Sequence, residues 1–301
     1  MENIKQKWLE ALGTPKKMAS YGKAELIGSY SHKEFDAEIY MQENSAGKHQ
    51  RVLMIFPKEI KEPLPAVAVP FYFPEGMLGF DPPSGEVFER YKGIAMMLDL
   101  VRRGYITASA EAYHLSYIKS DKKRDDFSRW QDAADALLKE EPQLTGMGKL
   151  FYDTELLVDI LYNDRRVIKN KIGIAGHSLG GKMAFYTGCL DERISCILAS
   201  DFGIGWDQTN WRDDWYWSGR VDKLIEQGMD HSELLGIAAP KPFFLIAGEF
   251  DTDESYTMMK KASGYEAYSD RLCFLNHRSG HFPPADALEE GYAFIDKWLK
   301  K

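Results

Sequence analysis

The run Gly176-His177-Ser178-Leu179-Gly180 constrains the folding of this chain more than any other stretch. An apolar segment, Ile172-Gly173-Ile174-Ala175, leads into it, and a helix-compatible segment, Gly181-Lys182-Met183-Ala184-Phe185-Tyr186, leads out. A strand that reverses into a helix within five residues has no room for side chains where strand, turn and helix cross. Glycine on both sides of the serine meets that demand. The turn lifts the serine hydroxyl above a sheet edge and sets it at a helix N-terminus. Free N–H groups there favour developing negative charge. The context is that of a nucleophile elbow, with Ser178 as the candidate nucleophile.

The rest of the chain supplies the sheet that such a turn needs. Residues 4–12 read as an amphipathic helix ended by Gly13-Thr14-Pro15. Phe35, Ala37, Ile39 and Met41 alternate with polar residues, the period of a half-buried strand, and 52–56 form a second candidate. These two are expected to pair as an antiparallel hairpin at one edge of the sheet. Residues 66–69 are continuously apolar, as in a strand buried on both faces. From there signals alternate: helix at 94–103, strand at 105–108, helix at 151–162, then strands at 194–199, 242–247 and 272–275. A last helix spans 285–299, with Leu288, Tyr292, Ile295 and Leu299 on its apolar face. The expected class is α/β, a mainly parallel central sheet with helices on both faces and an N-terminal antiparallel edge. Its ligand belongs at the carboxyl ends of the strands. A single domain over 1–301 is expected, with long insertions at about 111–149 and 202–235 that exceed ordinary connections and would wall the site.

Composition narrows the function classes. With 44% hydrophobic and 28% charged residues, the 301-residue chain has material for a large core and a solvated surface. A net charge of −8 argues against nucleic acid as a partner. The mixed-sign run at 121–126 reads as a solvated loop. Three cysteines cannot all pair within one chain, and buried free thiols are expected. The N-terminal residues lack the apolar segment of a signal peptide, and no stretch of about 18 apolar residues could span a bilayer. A cytoplasmic protein without membrane partners is the expectation.

A serine hydroxyl needs a base to take its proton and usually a carboxylate behind that base. Asp251 follows the apolar run Phe243-Phe244-Leu245-Ile246-Ala247, and His281 sits in the loop between 272–275 and the last helix. Serine, aspartate and histidine in that order, each after a successive strand, suit acyl transfer. Asp253 lies two residues beyond Asp251, and Asp201 follows the preceding strand, so both compete for the acid role. His277 is the competitor for the base and reads as a polar wall residue. The oxyanion calls for preorganised N–H donors. Leu179, directly after the nucleophile, offers one. The second should come from the loop after 66–69, where Pro70 and Pro74 have no N–H, and counting from the strand end selects Tyr72. Lys182 falls on the helix after the elbow and needs no catalytic role.

With these residues in place, the chain resembles the α/β-hydrolase superfamily over roughly 50–300. Within it the chain looks like the dienelactone-hydrolase and acetyl-xylan-esterase-like branch. The segment Arg165-Arg166-Val167-Ile168-Lys169-Asn170-Lys171-Ile172, the pentapeptide with Gly181-Lys182, and Gly248-Glu249-Phe250-Asp251 carry that likeness. Dienelactone hydrolases proper use cysteine, so serine points toward ester hydrolysis. The resemblance implies a serine hydrolase cleaving carboxylic esters, short-acyl or carbohydrate-linked, through an acyl-enzyme and without metal or organic cofactor. Alternatives are a peptidase of the same fold, with Glu111 or Glu249 binding an amino terminus, or a non-catalytic binding protein. His177 and the tryptophans Trp206, Trp211 and Trp215 are candidate substrate contacts. Rings in that number serve equally to pack a long loop onto the body.

Overall fold

The computed structural model describes residues 2–18, 24–119 and 126–301. Its nine described strands are β1 Ala24–Ser31, β2 Phe35–Glu43, β3 His49–Pro57, β4 Leu64–Ala68, β5 Ile106–Ala110, β6 Val167–His177, β7 Ile194–Ser200, β8 Phe243–Ala247 and β9 Leu272–Asn276. They form one sheet in the order β1-β2-β3-β5-β4-β6-β7-β8-β9. From β5 to β9 all neighbours run parallel, while β1, β2, β3 and β5 pair antiparallel. The expected hairpin is β2–β3, with β1 added outside it as the true edge. Around the sheet lie α1 Glu2–Leu12, α2 Met96–Arg102, α3 Tyr113–Tyr117, α4 Phe127–Glu140, α5 Gly146–Asn163, α6 Leu179–Leu190, α7 Asp214–Trp217, α8 Val221–Glu226, α9 His231–Ala238, α10 Asp253–Met259 and α11 Ala285–Leu299.

The strands divide their side chains between two cores by the two-residue period of the pleat. Val52, Met54, Ala66, Ala68, Ile172, Ile174, Ile197, Ala199, Phe243 and Leu245 face one core with α1, α4, α5, α6 and α9. Leu53, Ile55, Val67, Ala175, Cys196, Leu198, Phe244 and Ile246 face the other, closed by α2 and α11. Helices on both faces explain why the central strands are apolar throughout rather than alternating. Buried on all sides, α6 runs from the turn after β6 through the middle of the first core.

The two long segments hold α3 and α4, and α7 to α9. Of the mixed-sign run 121–126 only Asp126 is described; it caps α4 by accepting from Ser128 N–H. The rest of that run, expected as a solvated loop, lies outside the described residues. The three cysteines are free thiols, with Cys189 and Cys196 buried. Among the described residues, no helix is long and apolar enough to cross a membrane.

Candidate active site

Ser178 closes β6 and opens α6 with φ 56° and ψ −117°, a conformation that L-residues hold only under constraint. Its N–H donates to Ser200 O at 2.8 Å, tying the turn to the end of β7. Space around it is minimal. A Cβ on Gly176 would stand 2.1 Å from Gly180 O, and one on Gly180 would stand 2.2 Å from Pro70 O. Those two contacts fix the elbow against its own helix and against the loop after β4.

His281 lies in the loop between β9 and α11. Its Nε2 is 2.9 Å from Ser178 Oγ, and its Nδ1 is 2.7 Å from Asp201 Oδ2. Gly248 makes the approach of this loop possible, since a Cβ there would stand 2.3 Å from Gly280 O. Asp201 is fully buried just beyond β7, at φ 41°. Besides His281, its carboxylate accepts the N–H groups of Gly248, Glu249, Phe250 and Asp251 at 2.8 to 3.1 Å.

The expectation that Asp251 backs the histidine is corrected by this geometry. Asp251 is fully buried, and its carboxylate is occupied by Phe202 N–H and Gly203 N–H at 2.8 Å, Ile204 N–H at 2.7 Å and Ser255 Oγ at 3.0 Å. Burial pushes its carboxyl up to about 6. Asp253 faces outward and bonds Asn276 and Arg278. His277, the alternative base, bonds Ser279 and lies against Gly248.

Over the whole chain this framework matches solved esterases. A glucuronoyl esterase from Solibacter usitatus superposes with a TM-score of 0.69 at 15% identity, covering 98% of this chain and 91% of that one. The acetyl xylan esterase from Paenibacillus sp. R4 gives a TM-score of 0.66 at 14% identity, covering 99% and 93%. The fold is that of the α/β-hydrolases. In sequence, the chain is 26% identical over 181 residues to YtaP of Bacillus subtilis (strain 168), assigned as a hydrolase; the match spans 55% of this chain and 60% of YtaP. No family model matches the chain.

On this α/β-hydrolase framework the remaining candidates divide sharply. Trp206 and Trp211 are 6% and 0% exposed, and their indole N–H groups donate to Met229 O and Gly203 O. With Trp8, Tyr186 and His231 they form a stacked aromatic core beneath the loop, so they do not face a ligand. The reason is local: the indoles of Trp206 and Trp211 each find a backbone acceptor inside, which removes the cost of burying those N–H groups. Trp215 is half-buried and stacks on Phe127, a side chain exposed at the surface. His177 also departs from expectation. It is 1% exposed, packs 4.5 Å from the His281 ring, places Nδ1 3.2 Å from Ser200 Oγ, and burial holds it well below the usual histidine range. It packs against the His281 ring and is closed off from solvent.

Lys182, one turn along α6 from Ser178, is nearly fully buried. Its Nζ bonds Asn210 Oδ1 at 3.0 Å and lies 4.7 Å from the ring centres of both Trp211 and Tyr216. Burial brings it down to about 7, against the pull of Asp251, Asp213 and Asp201. Leu179 N–H is the first amide of α6 and has no acceptor within the helix. Tyr72 is half-buried in the loop that Gly180 abuts, and Ala112 N–H donates to its carbonyl. That loop is braced three residues on, at Glu75. Arg51 of β3 holds Glu75 through two bonds at 2.6 and 2.7 Å and Glu111 through Nε at 3.0 Å. Glu111 is thereby engaged by an internal arginine.

A cavity of about 850 Å³ opens beside Phe73, Phe88, Arg90, Tyr91 and Phe127. Its lining residue Phe73 directly follows Tyr72 in the chain. Residues 77–92, which supply most of the cavity lining, carry no signal in the sequence. Short 3₁₀ turns bound them, and their aromatic residues have no helical or strand period to betray a common face.

Proposed function

We propose that the chain is a serine-dependent carboxylester hydrolase. The relay Asp201–His281–Ser178, with links of 2.7 and 2.9 Å, carries this reading. A carboxylate accepts the Nδ1 proton of His281, which leaves a lone pair on Nε2 facing the serine hydroxyl. His281 then takes the proton as Ser178 Oγ attacks the ester carbonyl, and Asp201 stabilises the imidazolium that forms. The N–H groups of Leu179 and Tyr72 are the proposed donors to the tetrahedral oxyanion. Collapse expels the alcohol with a proton from His281. Water repeats the sequence on the acyl-enzyme and frees the acid.

Two observations favour an ester attached to a carbohydrate. The structural neighbours named above are described as glucuronoyl and acetyl xylan esterases. The cavity beside Phe73, Phe88, Tyr91 and Phe127 offers aromatic rings suited to a sugar face. The peptidase reading loses one of its anchors, since Arg51 holds Glu111.

Turnover of p-nitrophenyl acetate by the wild-type chain, and a loss of about three or more orders of magnitude in Ser178→Ala, are the expected results. Activity surviving that change would sink the assignment. Acetate release from acetylated xylo-oligosaccharides, measured beside methanol release from a methyl glucuronate, separates an acyl group on a sugar hydroxyl from an ester of a sugar acid.

A further inference from the structure

We infer that Asp251 is a positioning residue, which aims Asp201 at His281 by holding the backbone of residues 202–204. The inference rests on the proposed relay of Ser178, His281 and Asp201.

The two buried aspartates are reciprocally caged. Asp201 takes the N–H groups of residues 248–251, the turn that contains Asp251. Asp251 takes the N–H groups of residues 202–204, the three that immediately follow Asp201. Asp251 is engaged by three amides and the Ser255 hydroxyl, while the imidazole Nδ1 of His281 lies on Asp201. Asp251 acts at one remove. Asp201 needs such a hold, because φ 41° is a strained setting for a residue with a Cβ and persists only where neighbours over-determine it. On the near side of the turn its own N–H is bonded to Ile246 O at 2.8 Å. The far side is held by Asp251.

Asp251→Asn keeps the shape and changes the donor pattern. Whichever way the amide is turned, its NH₂ meets backbone N–H groups, and residues 202–204 must shift to relieve the clash. The carboxylate of Asp201 then moves off Nδ1, and a misplacement of about 1 Å in a catalytic group costs on the order of 100-fold. Binding of the ester is untouched, so the loss falls on kcat.

The test uses the full chain and p-nitrophenyl acetate, with Asp201→Asn, Asp251→Asn and the double variant. Asp251→Asn is expected to lower kcat about 10- to 100-fold with KM within about twofold, and the double variant to match Asp201→Asn alone, because residues acting as one unit are not additive. The downfield proton resonance of the His281 Nδ1–H···Asp201 bond is expected to move in Asp251→Asn and vanish in Asp201→Asn. Unchanged kcat in Asp251→Asn, an additive loss in the double variant, or a greater loss than in Asp201→Asn would overturn the positioning role. The last of these would make Asp251 itself the acid. Full activity in Asp201→Asn would instead bring down the relay. Should Asp251→Asn fail to fold, Ser255→Ala removes a single donor to Asp251. A lowered kcat that disappears in the Asp201→Asn background supports the inference, and an unchanged kcat overturns it.

Discussion

A methyl group on Gly180 would meet the Pro70 carbonyl oxygen at 2.2 Å, with backbone on both sides and no flexible side chain to yield. The requirement is for space, since φ at this position is ordinary. Gly180→Ala is therefore expected to reach or exceed the upper end of overpacking costs, about 3 kcal/mol, and to displace the loop bearing Tyr72 from the elbow. A denaturant titration read beside ester turnover measures both effects. Gly93 is the matched control: a Cβ there meets nothing within 4 Å, and its φ is not positive. Gly93→Ala should leave stability within about 0.5 kcal/mol or raise it slightly. If both variants unfold at the same denaturant concentration, the close approach at Gly180 is not a constraint. This is also why the pentapeptide could be read from sequence alone. Its demands are steric and local, and glycine is the only residue that meets them.

Arg51 joins three elements: β3 that carries it, the turn after β4 that carries Glu75, and the end of β5 that carries Glu111. Replacing it by glutamine takes the fork away from two largely buried carboxylates, and breaking a buried pair in this way costs about 3 kcal/mol. The expected Arg51→Gln protein unfolds at correspondingly lower urea and turns over p-nitrophenyl acetate more slowly, because the 71–76 loop is no longer braced. Arg51→Lys keeps the charge without the paired geometry and should fall between. A loss below about 1 kcal/mol in Arg51→Gln would mean that the loop is held by other contacts. No sequence pattern announces this clamp, as its members lie 24 and 60 residues apart. Elements with a clean signal were legible: β2 by alternation, β3, β4, β7, β8 and β9 as short apolar runs, and α1 and α11 by the helical stripe all appear close to where the sequence puts them. Strand β1 was not. Its pairing slips between Leu26 and Gly28, and the bulge leaves Leu26 and Ile27 about half exposed, so the two-residue period is broken.

Over the whole molecule, what the sequence left open was decided by contacts between distant loops. Asp201 and Asp251 each follow a parallel strand, and strand order alone gives either one access to His281. Which carboxylate turns toward the imidazole depends on a φ of 41° at Asp201 and on which loop supplies amides to which. The tryptophans after β7 were ambiguous for a like reason, since only the packing of that segment on α1 and α6 determines whether they face a ligand or a core. Lys182 pins the same segment to α6 and gives the assembly a pH signature. Its folded-state pKa of about 7 lies below the ordinary value of 10.5. Between these two values the unfolded chain binds the proton that the folded chain has released, so stability rises with pH across that window. Below it both states are charged, and folding bears the full penalty of burying the ammonium. Relative to Lys182→Met, which has no such proton, the wild-type protein should gain about 2 kcal/mol between pH 7 and pH 9. Parallel urea titrations of the two proteins at each pH give that difference directly, with the other titrating groups common to both. A constant offset across the window would mean that Lys182 stays protonated where it lies, its charge satisfied by Asn210 and the two aromatic faces.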